Sequence, residues 1–215
     1  IWIGHNTRIN SANGVYSYAA VSGGGDIIMA GGADDGYGHP AGYAWDNGAR
    51  SEATLNDIAV GFGKFVDVFT GGGDYIARGK AKNAGLSAFN YQSLDEFVTG
   101  TGRIIIDAQA TSAIEAFEYW ITGEAEAGAL FSSHATATPA ISISASISGT
   151  AAQAMRVYNK NDANPTTFQS LASTGGGLSF NLTQGSVADT GMGAYLASVN
   201  FLSANGPINF RTNSV

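Results

Sequence analysis

Short cassettes that join a turn to an extended run constrain the fold of this 215-residue chain more than any other feature. Two near copies, Asn56–Gly61 and Gly73–Gly79, lie within the stretch Ser51–Tyr91. Each has an Asn/Gly-Asp turn, a short run with β-branched or aromatic residues, and a glycine. Cassettes of this kind recur about every 12 to 17 residues. One run is too short to bury a face alone, so stacking of several runs is predicted.

The composition supports a β-rich chain with many tight turns. Hydrophobic residues make up 44% of the sequence, charged residues only 13%, and 30 residues are glycine. Small side chains recur at similar places in the cassettes, which predicts a narrow interior. Either strands turn tightly around a thin roll, or several chains approach one axis. The small residues are Ala30, Ala44, Ala59, Ala77 and Ala88.

Charge and cysteine content argue against several classes of partner and site. The net charge is −7, and the 10 Lys and Arg residues form no basic cluster, so no nucleic-acid partner is expected. The absence of cysteine excludes disulfides, thiol nucleophiles and cysteine zinc sites. No apolar run reaches the roughly 18 residues of a membrane span, so no membrane insertion is expected. The chain begins at Ile1, which indicates a processed or trimmed N-terminus, and it shows no signal peptide.

The second part of the chain reads as short strands with period-two alternation. In Ala140–Ser148 apolar residues alternate strictly with serine, which predicts one buried and one solvent-facing side. The segment Ile114–Ile121 fits a helix or a strand, and its alternation before Gly123 favours the strand. The fold class predicted is therefore all-β. Residues 1–93 are expected to form a Gly/Ala-rich β-roll or intertwined trimeric shaft, and residues 94–215 an antiparallel, jelly-roll-like β-sandwich tip.

An aromatic, acidic and turn-rich insert between the cassettes is the main candidate for ligand binding. Its rings could stack on a sugar, its aspartates could hold calcium, or its aromatics could pack on a neighbouring subunit. The spacing around Gly36 is not that of a calcium loop, so no metal is predicted. The candidate ligand-binding residues are Tyr37, His39, Tyr43 and Trp45. The aspartates considered are Asp34, Asp35 and Asp46.

Signals for catalysis are weak. His5, His39 and His134 have no zinc-site spacing, and His134 is expected at a surface or interface. Nucleophile elbows and phosphate loops are also missing. Glutamates at positions 115, 118, 124 and 126 could supply acid chemistry, but alternation with alanine favours a solvated strand face. No catalytic residue and no cofactor are predicted, and the chain is expected not to be an enzyme.

Residues 48–63, which read GARSEATLNDIAVGFG, resemble the repeat of trimeric autotransporter adhesin heads. The match extends to residue 90, and residues 10–47 follow it loosely. Runs of this type are similar to those that precede β-sandwich tips in phage tail fibres. The later phrases LDEFV, RIIID and YWI resemble such tips in pattern. The resemblance implies a homotrimer located in the virion or otherwise outside the cell.

The function predicted is a structural and adhesive component of a viral (phage) tail fibre. It would bind the host cell surface as a homotrimer, through a cell-surface glycan or an outer-membrane protein. A bacterial trimeric adhesin head is the alternative of the same kind. A secreted carbohydrate-active β-protein, using Asp34, Asp35, Glu118 or Glu124, is an alternative from another class. A capsid or tail subunit without a receptor is a third.

Overall fold

A computed structural model shows a chain built of β-strands and turns. It describes residues 1–4, 6–10, 24–34, 40–45, 59–81, 87–110, 115–121, 127–148, 153–185 and 193–214. The strands are β1 (Trp2–Ile3), β2 (Arg8–Asn10), β3 (Ile27–Met29), β4 (Gly31–Asp34), β5 (Pro40–Gly42), β6 (Ala44–Trp45), β7 (Val60–Phe62), β8 (Asp67–Phe69), β9 (Tyr75–Ala81), β10 (Ser87–Asn90), β11 (Glu96–Val98), β12 (Ile104–Ala110), β13 (Glu115–Ile121), β14 (Leu130–Ser133), β15 (Ile141–Ile147), β16 (Gln153–Asn159), β17 (Thr166–Ser170), β18 (Leu178–Gln184), β19 (Ala194–Ala197), β20 (Val199–Ser203) and β21 (Ile208–Ser214).

The strands assemble into three parallel sheets that wrap around one core. Sheet A has the order β1-β7-β10-β13-β16-β19, and sheet B the order β2-β8-β11-β14-β17-β20. Sheet C has the order β21-β18-β15-β12-β9-β3, with β6 also paired to β9. The chain visits A, B and C in turn and then returns to A, so each circuit is one coil of a parallel β-solenoid. The described residues form six such coils.

The predicted fold class is therefore wrong in its architecture, although the all-β character is confirmed. Neither a β-roll shaft nor an antiparallel, jelly-roll-like sandwich forms, because neighbouring strands of sheets A, B and C run parallel. The expected boundary at residue 93 falls within the third coil, between β10 and β11. Two local predictions are confirmed. β15 alternates buried and half-buried residues along its length, and Glu115–Ile121 is a strand.

Aromatic side chains fill the interior on the sheet B side. Phe97, Phe131, Phe168 and Phe201 pair in register on successive coils. Their ring centroids are 4.5, 4.7 and 5.5 Å apart in order, and each pair is near-parallel. Aromatic pairs of this kind contribute about 0.5–1.5 kcal/mol each beyond the area they bury. The stack therefore runs through the interior of the third, fourth, fifth and sixth coils.

The interior is wider than the sequence predicted. Ala59, Ala77 and Ala88 are fully buried, as small residues in a narrow core would be. However, large rings such as Tyr75 and Phe89 are also fully buried within the same chain. The alanines therefore mark places of close approach, and a single chain fills its own core.

The turn from sheet B to sheet C, here the B–C corner, contains the start of the cassette Gly73–Gly79. The corner spans Thr70–Asp74 on the second coil and Thr99–Arg103 on the third. A Cβ added to Gly102 would lie 1.8 Å from the carbonyl oxygen of Gly73 on the coil before, so only glycine fits. The Thr99 hydroxyl donates to the Gly102 carbonyl at 2.6 Å.

An ion pair joins neighbouring coils at the same corner. The Arg103 guanidinium donates to Asp74 Oδ2 through Nη2 at 2.6 Å and through Nε at 3.0 Å. The Arg103 backbone N–H donates to Asp74 Oδ1 at 2.8 Å. Asp74 in turn donates its backbone N–H to Asp26 Oδ1 at 2.8 Å. The cassette is thus a device that stacks one coil on the next.

A hairpin interrupts the first coil. β4 and β5 pair antiparallel, and they lie between β3 and β6. β3 pairs with the first half of β9 and β6 with the second half. Together, β3 and β6 act as one strand of sheet C from which the hairpin projects.

Candidate functional site

The structure describes only some of the residues predicted to bind a ligand. Tyr37 and His39 fall outside the described residues, as do Asp35, Asp46 and Glu124. Trp45 lies in β6, paired with Lys80, and Asp34 ends β4. For Tyr43 the structure also describes the side chain.

Tyr43 packs on the outer face of sheet C of its own chain. Its hydroxyl donates to Asp107 Oδ2 and accepts a hydrogen bond from Gln109 Nε2. Lys80 Nζ lies 6.0 Å from the centroid of its ring. Burial, together with the hydrogen bond to Asp107, raises the pKa of Tyr43 to about 12. These contacts fix the hairpin to the second and third coils, and they leave the ring engaged within the chain.

A second group of polar residues lies on the outer face of sheet A. Asn90, Glu118, Arg156 and Tyr195 occupy the same register position on four successive coils. Their side chains lie on the face opposite to the buried Phe117 and its register partners, because strand residues alternate between faces. We call these four residues the sheet A row.

The sheet A row contains a carboxylate with little exposure. Glu118 is only 8% exposed, and Asn90 Nδ2 donates to its Oε2 at 3.3 Å. Burial raises the pKa of Glu118, while Arg156, Asn90 and Ser87 act in the opposite direction. Glu118 was expected on a solvated strand face, but in the structure it is buried.

A second carboxylate is buried beside the row. Glu115 is 1% exposed and accepts a hydrogen bond from Arg156 Nη1 at 2.9 Å. Burial and, to a smaller extent, the nearby Glu118 raise the pKa of Glu115 to about 7, although Arg156 acts in the opposite direction. Two carboxyl groups that share one guanidinium can therefore hold a proton near neutral pH.

Ser87 is a buried polar neighbour of Glu118. Its hydroxyl is fully buried and interacts with the Glu118 carboxylate, which lowers the pKa of that residue. With no exposed surface, Ser87 supports Glu118 and does not itself face solvent.

Two tyrosines form the aromatic end of this surface. The rings of Tyr158 and Tyr195 lie 6.2 Å apart, and Tyr195 is 37% exposed. A ring at the rim of a polar row offers an apolar face and a hydroxyl together. Chemically, the row and the tyrosines can bind a polar ligand that also has apolar C–H surface.

Sequence reasoning considered Glu118, favoured a solvated face for it, and missed the residues that surround it. Asn90 and Arg156 carry no motif of their own, and only the coil register places them beside Glu118. The signal in the sequence was weak. It consisted of polar residues that recur one coil apart, each on a strand in which they alternate with buried apolar residues.

Other sites considered from the sequence gain no support from the described part of the chain. Among these residues, no three His, Cys, Asp or Glu side chains are grouped so that they could hold a metal ion. Nor does this part contain a helix that is long and apolar enough to cross a membrane. His134 is half-buried at the B–C corner, where its backbone N–H donates to the Gly100 carbonyl at 2.6 Å.

Comparison with known proteins gives no relative. No protein-family model matches the chain, and no curated protein or solved structure matches it. Function must therefore be argued from the surface itself.

Proposed function

We propose that this chain is a structural and adhesive component of a viral tail fibre that binds a glycan on the host cell surface. The observation that carries the proposal is the sheet A row, in which Asn90, Glu118, Arg156 and Tyr195 stand on consecutive coils. A β-solenoid that presents such a row on one face outside the cell suits binding of a glycan better than its cleavage.

The chemistry of the row matches that of a sugar. Amide, carboxylate and guanidinium groups form directional hydrogen bonds with hydroxyl groups, and charged partners strengthen them. The exposed ring of Tyr195 offers a surface for the C–H face of a pyranose. Consecutive coils repeat at the roughly 4.8 Å spacing of β-strands, so a chain of sugars along the rod can contact several residues.

Homotrimer formation and a place in the virion belong to the same proposal. Three copies of a weak glycan site would gain avidity without any new contact. Light scattering should then give three times the 22.0 kDa mass of the chain, and a monomer would contradict the trimer.

A secreted carbohydrate-active protein remains the second candidate, because of one specific observation. Glu115 and Glu118 are close, buried, and both raised in pKa, which is the condition under which a carboxyl group can donate a proton near neutral pH. In the adhesive proposal, the same pair only binds and orients. A bacterial adhesin head would use the surface in the adhesive way.

The binding test uses an array of bacterial surface polysaccharides. Tyr195→Ala should weaken binding about tenfold, since an aromatic contact contributes roughly 0.5–1.5 kcal/mol. Asn209→Ala, on the same coil but on sheet C, is the matched control and should bind normally. Equal binding by Tyr195→Ala and the native chain would contradict the proposal that the sheet A row binds the glycan.

The enzymatic candidate is tested on the polysaccharides that bind. Incubation followed by measurement of new reducing ends separates adhesion from cleavage. The adhesive proposal expects no release, and release that is abolished in Glu118→Gln would favour the enzyme instead.

A further inference from the structure

The turns from sheet A to sheet B, here the A–B corner, contain residues with left-handed backbone conformation. The φ angles are 56° at Asn6, 60° at Phe65, 58° at Leu94 and 57° at Ser198. Asparagine tolerates this region well, because its short polar side chain can hydrogen-bond locally. Bulky apolar residues do not, so Phe65 and Leu94 are out of place on conformational grounds.

Burial does not explain these two residues. Phe65 is 48% exposed and Leu94 is 41% exposed, so neither contributes a buried side chain to the core. They occupy the same turn position on adjacent coils, where the Phe65 N–H donates to the Ser93 carbonyl at 3.1 Å. Unfavourable backbone conformations that bring no packing gain tend to occur at functional sites.

Phe65 and Leu94 line a depression of about 410 Å³. Its other walls are polar, and they come from Asn6, Thr7, Arg8 and Asp67. Arg8 donates to Asp67 Oδ2 through Nη2 at 2.7 Å and through Nε at 3.1 Å.

Backbone bonds between coils hold the walls in place. The Asn6 N–H donates to the Lys64 carbonyl at 3.0 Å, and the Asp67 N–H donates to the Thr7 carbonyl at 3.0 Å. The depression is therefore formed before any ligand arrives, which reduces the ordering cost of binding.

We propose that this depression is a second carbohydrate-binding site, separate from the sheet A row. A single sugar ring would place its C–H face on Phe65 and Leu94, while the Arg8–Asp67 pair and Asn6 meet its hydroxyl groups. The choice of ligand class rests on the proposed function, whereas the site stands on the strained residues and the depression they line.

The lining favours a sugar over a lipid or an apolar peptide. Only two of the six lining side chains are large and apolar, and a charged pair lies beside them. The size also fits, since small-molecule pockets usually fall between about 300 and 1,000 Å³. An aromatic ring beside planar polar groups matches a ligand with alternating C–H and O–H surface.

The test uses ligand-observed saturation-transfer NMR with L-rhamnose, D-galactose, N-acetyl-D-glucosamine and N-acetylneuraminic acid as probes. Phe65→Asn should weaken binding of the recognised sugar at least about tenfold, which corresponds to about 1.4 kcal/mol. The same change should leave the unfolding temperature unchanged or higher, because asparagine suits the left-handed conformation. Phe65→Tyr keeps the ring and should keep binding.

The outcomes separate this site from the sheet A row. Loss of binding in Phe65→Asn but not in Tyr195→Ala supports the depression and counts against the row. The reverse pattern overturns the present inference and leaves the proposed function intact. Absence of binding for all four sugars, or a clear fall in unfolding temperature in Phe65→Asn, also overturns the inference.

Discussion

The B–C corner and the A–B corner turn the same chain between the same kinds of strand, yet they use opposite chemistry. At the B–C corner, glycines stand where a Cβ would strike the previous coil, and Thr99 satisfies the carbonyl of Gly102. At the A–B corner, Phe65 and Leu94 adopt a backbone conformation that suits them poorly, and their side chains remain half-exposed.

The contrast separates residues that serve the fold from residues that serve another purpose. Local preference, packing and hydrogen bonding all agree at the B–C corner, as expected for positions selected for folding. At the A–B corner, Phe65 and Leu94 suit neither the backbone conformation nor a buried position. Four measurements test this contrast.

The largest effect is expected at Gly102. Its Cβ would lie 1.8 Å from the carbonyl oxygen of Gly73, so Gly102→Ala must push two coils apart and should cost more than about 4 kcal/mol in unfolding free energy. Gly25→Ala is the matched control from the first coil. Nothing lies within 4 Å of its added Cβ, so little change is expected in urea unfolding. A mild effect at Gly102 would contradict the close stacking of the corner.

The next effect concerns pH and Asp95 at the A–B corner. Asp95 accepts backbone N–H bonds from Val66 at 2.9 Å and Gln92 at 2.8 Å, yet burial raises its pKa from the ordinary 3.8 to about 8. The protonated form is therefore favoured in the folded state. Its stabilising contribution is complete below about pH 4 and is lost as pH rises towards 8.

Urea unfolding across this range checks the sign. The free energy of unfolding of the native chain should fall by on the order of 5 kcal/mol between about pH 4 and pH 8, since one pKa unit corresponds to about 1.4 kcal/mol. Glu115 contributes in the same direction up to about pH 7. Asp95→Asn should flatten the slope, while Ser179→Ala should not. An Asp95→Asn slope identical to that of the native chain would show that Asp95 ionises normally.

A medium effect is expected at Thr99. Thr99→Val keeps the shape of the side chain but removes one of the two hydroxyl donors to the Gly102 carbonyl, which still accepts from Ser133 Oγ at 2.6 Å. The expected cost is that of one hydrogen bond, about 0.5–1.5 kcal/mol in unfolding free energy. Thr101→Val, at an exposed position of the same turn, provides the control and should be nearly neutral. Similar costs for both variants would remove the special role of the hydroxyl.

The smallest effect has the opposite sign. Leu94→Asn should stabilise the fold by about 0.5–1 kcal/mol, because asparagine adopts the left-handed conformation more readily than leucine. Leu130→Asn makes the same chemical change in the extended strand β14, where no gain is expected. Destabilisation by Leu94→Asn would mean that the leucine does serve the fold after all.

The sequence predicted strands, faces and turns better than it predicted their arrangement. Alternation in Ala140–Ser148 correctly placed Ile141 and Ile143 inside. However, alternation is the same for a strand in an antiparallel sandwich and for one in a solenoid, because both have one buried face. It therefore could not decide between parallel and antiparallel pairing.

The interval between cassettes in the sequence is also not the interval between equivalent strands of successive coils. Intervals of about 12 to 17 residues separate strands that belong to different sheets or to the hairpin. The strands of sheet C restart at Tyr75, Ile104, Ile141 and Leu178, which gives intervals of 29, 37 and 37 residues. Because turns and inserts differ in length from coil to coil, the true period is hidden from simple counting. The partners of Glu118 were hidden for the same reason.

The split strand formed by β3 and β6 has a consequence for how this molecule can change. Pairing along β9 stops at Ala77 and resumes at Gly79, so the chain leaves the rod and re-enters it almost at the same point. The segment between β3 and β6 can therefore be lengthened, shortened or exchanged without shifting the register of any coil. The first coil thus offers a natural graft point, where a new recognition loop can be tried while the scaffold beneath it stays constant.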